Sequence, residues 1–222
     1  MSGIAIVTGG SRGIGRGIAE ALLAGGWKVW TCSRHSQGSA DGAQHRAVDV
    51  RDQGKVETFV KEVLDVEGRI DCLVNNAGLG HFGPVDEISG DQFREVIETN
   101  LNGCFYFLRA VAPAMKKQGA GWIINIASLA AKNPFAGGSA YNASKFGLLG
   151  MSEAAMLDLR PHGIRVAAIM PGSVATEFGG GTGEGSWKLQ AADIASMVVH
   201  LLSYPDNALP SRIEMRPSRP PK

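Results

Sequence analysis

Tyr141 and Lys145 stand four residues apart, and Ser128 lies thirteen residues before the tyrosine. On a helix, side chains at i and i+4 share one face with their β-carbons about 5–6 Å apart. A free phenol ionises near pH 10, and bringing that to about 7 requires roughly 4 kcal/mol of added phenolate stabilisation. An ammonium one turn away is a source of it. A serine hydroxyl aimed at the same oxygen can donate a hydrogen bond that strengthens as negative charge builds there. Taken singly, these residues read as a core tyrosine with its hydroxyl at the surface, a solvated helix cation and a turn serine. In combination they suit delivery of a proton to a developing alkoxide.

A second group of residues could hold the hydride donor that such chemistry needs. Thr8-Gly-Gly-Ser-Arg-Gly-Ile-Gly15 separates an apolar run from the stripe Ile14, Ile18 and Leu22. A strand, a glycine turn and a helix would present bare amides and a positive helix end to a pyrophosphate. The spacing of Gly9, Gly13 and Gly15 departs from the G-x-G-x-x-G fingerprint, and a strand-to-helix turn that simply needs glycine would look similar. After the second apolar run the chain reads Cys32-Ser33-Arg34. An acid in that stretch binds the ribose hydroxyls of NAD, whereas an arginine accommodates the 2′-phosphate of NADP. Ser33, Arg34 and Arg12, with no carboxylate in the stretch, point to NADP(H) over NAD(H). Two solvated surface arginines are the plainer alternative.

The positioning elements alternate. Runs rich in apolar and β-branched residues at 3–8, 27–33, 45–49, 70–74, 121–127, 164–169 and 211–215 read as strands, with amphipathic stretches between them. Val56, Phe59, Val60, Val63 and Leu64 follow helical spacing across 52–68, as do Ile194, Met197, Val198, Leu201 and Leu202. The expected fold is an α/β, Rossmann-type doubly wound parallel sheet of about seven strands, in a single domain over 1–222. Ligands of such sheets bind beyond the carboxyl ends of the strands. Gly9, Arg34, Asp49, Asn75-Asn-Ala-Gly78, Ser128 and Pro171-Gly172 all fall there. From Phe93 a stripe runs through Val96, Ile97, Leu101 and Cys104 and puts Asn100 on the inward face, where a buried amide needs partners.

Composition excludes other classes. Twenty-two Lys and Arg against 21 Asp and Glu give no field for nucleic acid or an anionic membrane. A first strand at Gly3 leaves no room for a leader, and no run approaches the ~20 apolar residues of a membrane span; the expected location is cytoplasmic. Cys32, Cys72 and Cys104 lack the paired spacing of zinc or redox sites, so they read as reduced packing residues, and no metal is expected. His81 reads as a surface loop histidine and His162 as a helix-end residue. The glycine stretch 179–185, with Phe178 and Trp187, suggests a substrate lid across 175–190, or a loose connector.

From Gly3 to Thr176 the chain resembles the short-chain dehydrogenase/reductase family. The resemblance rests on Thr8-Gly-x-x-x-Gly-Ile-Gly15, Asp49, Asn75-Asn-Ala-Gly78, Asn100, Ser128, Tyr141-x-x-x-Lys145 and Pro171-Gly172, in the family's order. It implies Ser128, Tyr141 and Lys145 as the catalytic core, with Asn100 holding a water in the proton relay. It implies cofactor contacts from Gly9, Ser11, Arg12, Gly13, Ile14, Gly15, Ser33 and Arg34. Asp49 and Val50 would flank the adenine, and Asn76, Ala77 and Gly78 would line a ribose. Pro171, Gly172, Val174 and Thr176 would approach the nicotinamide, beside Tyr141 and Lys145. The tail, Leu209-Pro-Ser-Arg-Ile-Glu-Met-Arg-Pro217, differs from the glycine-rich ending that often closes ketoacyl reductases of the family. The expected activity is NADPH-dependent reduction of a ketone or aldehyde with Tyr141 as general acid. An NAD-linked secondary-alcohol dehydrogenase and a non-catalytic NADP-sensing module are the alternatives. Expected partners are a small carbonyl or alcohol substrate and further copies of the chain, as a homodimer or homotetramer.

Overall fold

Seven strands pair in parallel in the order β3-β2-β1-β4-β5-β6-β7. They are β1 (Ile4–Thr8), β2 (Lys28–Ser33), β3 (Gln44–Ala47), β4 (Cys72–Asn75), β5 (Gly121–Ile126), β6 (Ile164–Pro171) and β7 (Arg212–Met215). Six helices connect them: α1 (Gly13–Ala24), α2 (Gln53–Glu67), α3 (Gly90–Ile97), α4 (Gly103–Gln118), α5 (Ser139–Leu159) and α6 (Ala191–Leu202). The structure, a computed structural model, describes residues 2–35, 38–180 and 185–220. Within the expected glycine-rich lid, residues 181–184 lie outside the described residues.

Parallel strands covered on both faces read as continuous apolar runs, and β1, β4 and β5 are buried at every residue. One face of the sheet packs against α2, α4 and α5 through Val56, Phe59, Val63, Phe107, Val111 and Leu159. The other packs against α1 and α6 through Ile18, Leu22, Ile194, Val198 and Leu201. All seven expected strands are present with shifted ends. β3 stops at Ala47, so Val48 and Asp49 lie on the rim, and β6 runs on to Pro171 because its end pairs with Met215 of β7. The strand order reverses direction at β1 and β4, which opens a crevice above their carboxyl ends.

Two segments depart from the sequence pattern. Residues Glu98–Asn102 form a π-helical turn between α3 and α4, so the stripe begun at Phe93 does not keep one phase, and Phe93 is 40% exposed. Asn100 sits in that turn, fully buried as expected. α5 has no clean apolar stripe because its inner face carries Asn142, Ser144, Lys145 and Ser152, all buried. Among the described residues no helix is long and apolar enough to cross a membrane.

Candidate active site

A chain of buried polar groups seats α5 on the sheet. Asn75 Nδ2 donates to Asn125 Oδ1 at 2.9 Å, Asn125 Nδ2 to Ser152 Oγ at 2.8 Å, and Ser152 Oγ to the Leu148 carbonyl at 2.6 Å. Asn75 and Asn125 are register partners on β4 and β5. This seating brings Lys145 against the end of β5, where its Nζ, 5% exposed as a residue, donates to the Ile126 carbonyl at 2.9 Å. An ammonium carries three N–H groups, so this bond fixes the lysine and leaves two. The same Nζ lies 5.6 Å from the centroid of the Tyr141 ring. Two residues beyond β5, Ser128 Oγ accepts a bond from the Ala130 N–H at 3.1 Å, which leaves its own proton for another acceptor.

Asn100 ties this helix to the loop after β4. Its Oδ1 accepts from the Leu79 N–H at 2.8 Å, and its Nδ2 donates to the Leu79 carbonyl at 2.8 Å and to Ser144 Oγ at 3.0 Å. Ser144 Oγ in turn donates to the Tyr141 carbonyl at 2.7 Å. Both amide hydrogens of Asn100 are therefore committed, and only acceptor capacity remains for a water.

A cavity of about 1460 Å³ runs along the carboxyl ends of the strands, from Arg34 and Asp49 to Ser128, Tyr141 and Lys145. This exceeds the roughly 300–1,000 Å³ of ordinary small-molecule pockets. Its walls include Gly9, Ser11, Arg12, Gly13, Ile14, Ser33, Val50, Asn76, Ala77 and Gly78, and on the far side Pro171, Gly172, Val174 and Thr176. Gly15 and Asn100 are not on the wall. Gly15 is a packing glycine: a β-carbon there would come within 2.3 Å of the Gly9 carbonyl oxygen and of Asn76 Nδ2. At the start of α1, Arg12 is extended and caps no amide with its side chain, and the first turn holds no acid. Uncapped first-turn amides at a positive helix end suit a pyrophosphate. The cavity and this helix end fit a nicotinamide dinucleotide.

The adenosine end differs from the local sequence reading. Carboxylates absent from the stretch after β2 arrive from elsewhere: Arg34 lies 3.6 Å from Glu95 of α3, and Arg12 lies 3.3 Å from Glu177. Ser33 Oγ donates to the His35 carbonyl at 2.6 Å. Asp49 is gripped by Arg51, whose Nη2 lies 2.6 Å from Oδ2, and this bond holds the carboxyl below the usual range. His81 is not free at the surface; its Nε2 lies 2.9 Å from Glu95 Oε2. Glu95 is also held below the usual carboxylate range, first by that His81 bond and then by the Arg51 and Arg34 charges, against the opposing effect of burial.

The short chain dehydrogenase family profile matches residues 3–186. This chain belongs to that family. It is 35% identical over 213 residues to the 2-(R)-hydroxypropyl-CoM dehydrogenase of Xanthobacter autotrophicus, covering 90% of this chain and 83% of that one. Among solved structures, the alcohol dehydrogenase of Thermococcus sibiricus complexed with 5-hydroxy-NADP superposes with a TM-score of 0.90 at 29% identity, covering all of both chains. A metagenomic short-chain oxidoreductase in complex with NADP gives a TM-score of 0.85 at 36% identity and 98% coverage of each.

In this short-chain dehydrogenase several residues shape the site that the sequence motifs did not assign a role. Thr8 Oγ1 accepts from the N–H groups of Asn76 and Ala77 at 2.9 and 3.0 Å and so sets the loop that lines the cavity. Glu95 and Arg51 decide what the Arg34 and Asp49 side chains touch. Around Tyr141 stand the rings of Phe82 and Phe178, each with its centroid 5.6 Å from that of the tyrosine, and Phe135 is 5.9 Å from Phe82. Arg51 could have been suspected from its place two residues after Asp49. The phenylalanines come from three separate loops, and no local pattern joins them. Cys32, Cys72 and Cys104 are free and buried, and burial pushes the Cys32 thiol up to about 12 and that of Cys104 to about 11.

Proposed function

We propose that this oxidoreductase is an NADPH-dependent carbonyl reductase in which Tyr141 protonates the substrate oxygen. The observation that carries the reading is the meeting, in one cavity, of Ser128, Tyr141 and Lys145 with the glycine turn and the uncapped start of α1. NADPH, when bound, supplies the hydride that reduces the carbonyl carbon. Ser128 donates its free O–H to the carbonyl oxygen and orients it, and Tyr141 delivers its proton to that oxygen as the C–H bond forms. Lys145, fixed by the Ile126 carbonyl, favours the phenolate left behind. Asn100 holds the relay water through acceptor atoms, since its amide hydrogens are used. Asp49 and Val50 would flank the adenine, Asn76, Ala77 and Gly78 would line a ribose, and Val174 and Thr176 would meet the carboxamide.

Arg34 and Arg12 would take the 2′-phosphate: the largely solvent-accessible Glu177 is a weak competitor for Arg12, and the partly buried Glu95 lies 3.6 Å from Arg34, beyond hydrogen-bond reach. A 2′-phosphate preference is further supported by the NADP carried by the metagenomic neighbour. The reading places the enzyme in the cytoplasm, in keeping with three buried unpaired thiols. It also assembles the chain as a homodimer or homotetramer, supported by the exposed Phe105 on α4 and Phe146 and Leu157 on α5.

Loss of NADPH absorbance with a panel of ketones and aldehydes tests the activity. Tyr141→Phe should lower kcat by a factor on the order of 10²–10⁴, the usual worth of a positioned acid, while NADPH still binds. Turnover unaffected by that change sinks the mechanism. A second reading, NAD-linked oxidation of a secondary alcohol, draws on the ion pair already held by Arg34 and on the alcohol-oxidising name of the Xanthobacter relative. Titration with NADH and NADPH side by side decides between the two.

A further inference from the structure

Phe82, Phe135 and Phe178 are 45%, 47% and 42% exposed, unusual for large apolar side chains that lie together. They come from the loop after β4, the segment before α5 and the turn after β6, yet they gather beside Tyr141, Phe135 by way of Phe82. Phe82 and Phe178 both contact the tyrosine ring at tilted or edge-on angles of 65° and 54°, and Phe135 meets Phe82 at 45°. None of these pairs is a parallel stack that would use up the ring faces. Phe82 is held in place by close backbone: at Gly179 a β-carbon would come within 2.8 Å of its ring. Phe135, Tyr141 and Phe178 line the cavity.

Of the cations along the cavity, Arg12 is assigned to the cofactor phosphate and Arg216 faces a carboxylate. Arg12 pairs with Glu177, Arg216 with Glu214, and Lys188 lies 5.9 Å from the Trp187 ring centroid. An anionic substrate group would meet Glu177 and Glu214 beside these cations, whereas an apolar one finds the partly bare rings of Phe135 and Phe178. Of the cavity-lining rings, Phe178 stands against Tyr141 itself, its centroid 5.6 Å from that of the tyrosine, so the apolar group it would meet is one carried close to the carbonyl that Tyr141 protonates.

We infer that the substrate is an aryl ketone or its secondary alcohol, with the aromatic ring bonded to the reacting carbon and seated against Phe135 and Phe178, with Phe82 packed behind them. This deepens the reductase reading and rests on it. Edge-to-face and offset ring pairs favour an aromatic guest over a saturated one of like size by roughly two- to tenfold for each pair.

Binding to the complex with NADP⁺, which cannot reduce a ketone, separates recognition from turnover. Calorimetric titration of that complex with acetophenone, cyclohexyl methyl ketone and 3-oxobutanoate should give acetophenone an affinity at least fivefold above the saturated analogue, with 3-oxobutanoate weakest. Phe135→Leu and Phe178→Leu, which keep the sites filled with apolar atoms, should each cut the aryl preference by at least half. Equal affinities for the two ring compounds, a preference for 3-oxobutanoate, or an aryl preference indifferent to both leucine variants overturns the inference. Reduction of 2,3-butanedione by NADPH, dependent on Tyr141, reports on the reductase reading independently. If that reduction occurs without aryl preference, the reductase stands and the aryl site falls; if aryl ketones bind selectively and no carbonyl is reduced, the site is no substrate site and the inference falls with the reductase.

Discussion

The Arg34 guanidinium lies 3.6 Å from the Glu95 carboxylate, and the same carboxylate also holds Arg51 and His81. An arginine expected to bind a phosphate is therefore shared with an acid on α3. At 3.6 Å, with Arg34 half-exposed and Glu95 shared with two other partners, the pair is worth about 1 kcal/mol. Glu95→Gln should strengthen NADPH binding by roughly two- to fivefold, the equivalent of that energy, and leave NADH binding unchanged. Arg34→Ala should weaken NADPH alone. Fluorescence titration with both cofactors checks each expectation, and an equal response of NADH and NADPH to either change removes the assigned role.

Lys145 is buried and spends one N–H on the Ile126 carbonyl. Lys145→Met keeps most of the apolar stem and removes the charge beside the tyrosine. We expect kcat to fall by a factor on the order of 10²–10⁴, with circular dichroism and gel filtration unchanged. A parent-like rate in Lys145→Met rules out electrostatic support of the phenolate by this lysine.

Asn100 satisfies both backbone groups of Leu79 across the π-helical turn. Asn100→Ala leaves that N–H and carbonyl without their partner, and because both are only part-buried each costs about 1 kcal/mol, the low end for a stranded group. A loss of roughly 5 °C in Tm is expected for a chain of this length. The loop carrying Asn76 and Gly78 would loosen with it, so the KM for cofactor should rise. A thermal melt matching the parent protein would show that water replaces the amide without penalty.

Why some of this could be read from the chain and some could not follows from how far apart the deciding residues are. β1, β4 and β5 are buried on both faces, so each is an uninterrupted apolar run that marks itself. The glycine turn and the Tyr141 to Lys145 spacing are local and keep their meaning without neighbours. Glu95 meeting Arg34, or Glu177 meeting Arg12, depends on side chains brought together only by the fold. Asn100 was placed inward by a helical phase that does not continue: the π-turn inserts an irregularity, yet the buried amide finds its partners in the loop beside it. α5 hid its inner face because asparagine, two serines and a lysine are interleaved there with Leu148, Leu149 and Leu159.

Glu67, the last residue of α2, has a side chain 4% exposed, with Lys28 Nζ at 2.8 Å and Trp30 Nε1 at 3.2 Å. The Lys28 bond, helped by that of Trp30, holds its carboxyl below the usual range despite the opposing effect of burial. A depressed carboxyl contributes stability that is fully present above the unfolded value, about 4.3, and is lost as pH falls through the lower folded value. Unfolding by urea should thus grow easier as pH drops below about 4.3. Glu67→Gln removes the titration but can still accept from Trp30, so it should flatten this part of the acid limb. Glu67→Leu also strands the indole N–H of a residue 1% exposed, and at neutral pH it should cost a further 1–3 kcal/mol or about that. Urea midpoints for the three proteins between pH 3 and pH 7 test the ordering. An acid limb in Glu67→Gln as steep as in the parent would assign the acid sensitivity to other carboxylates, with Asp49 beside Arg51 the next to examine.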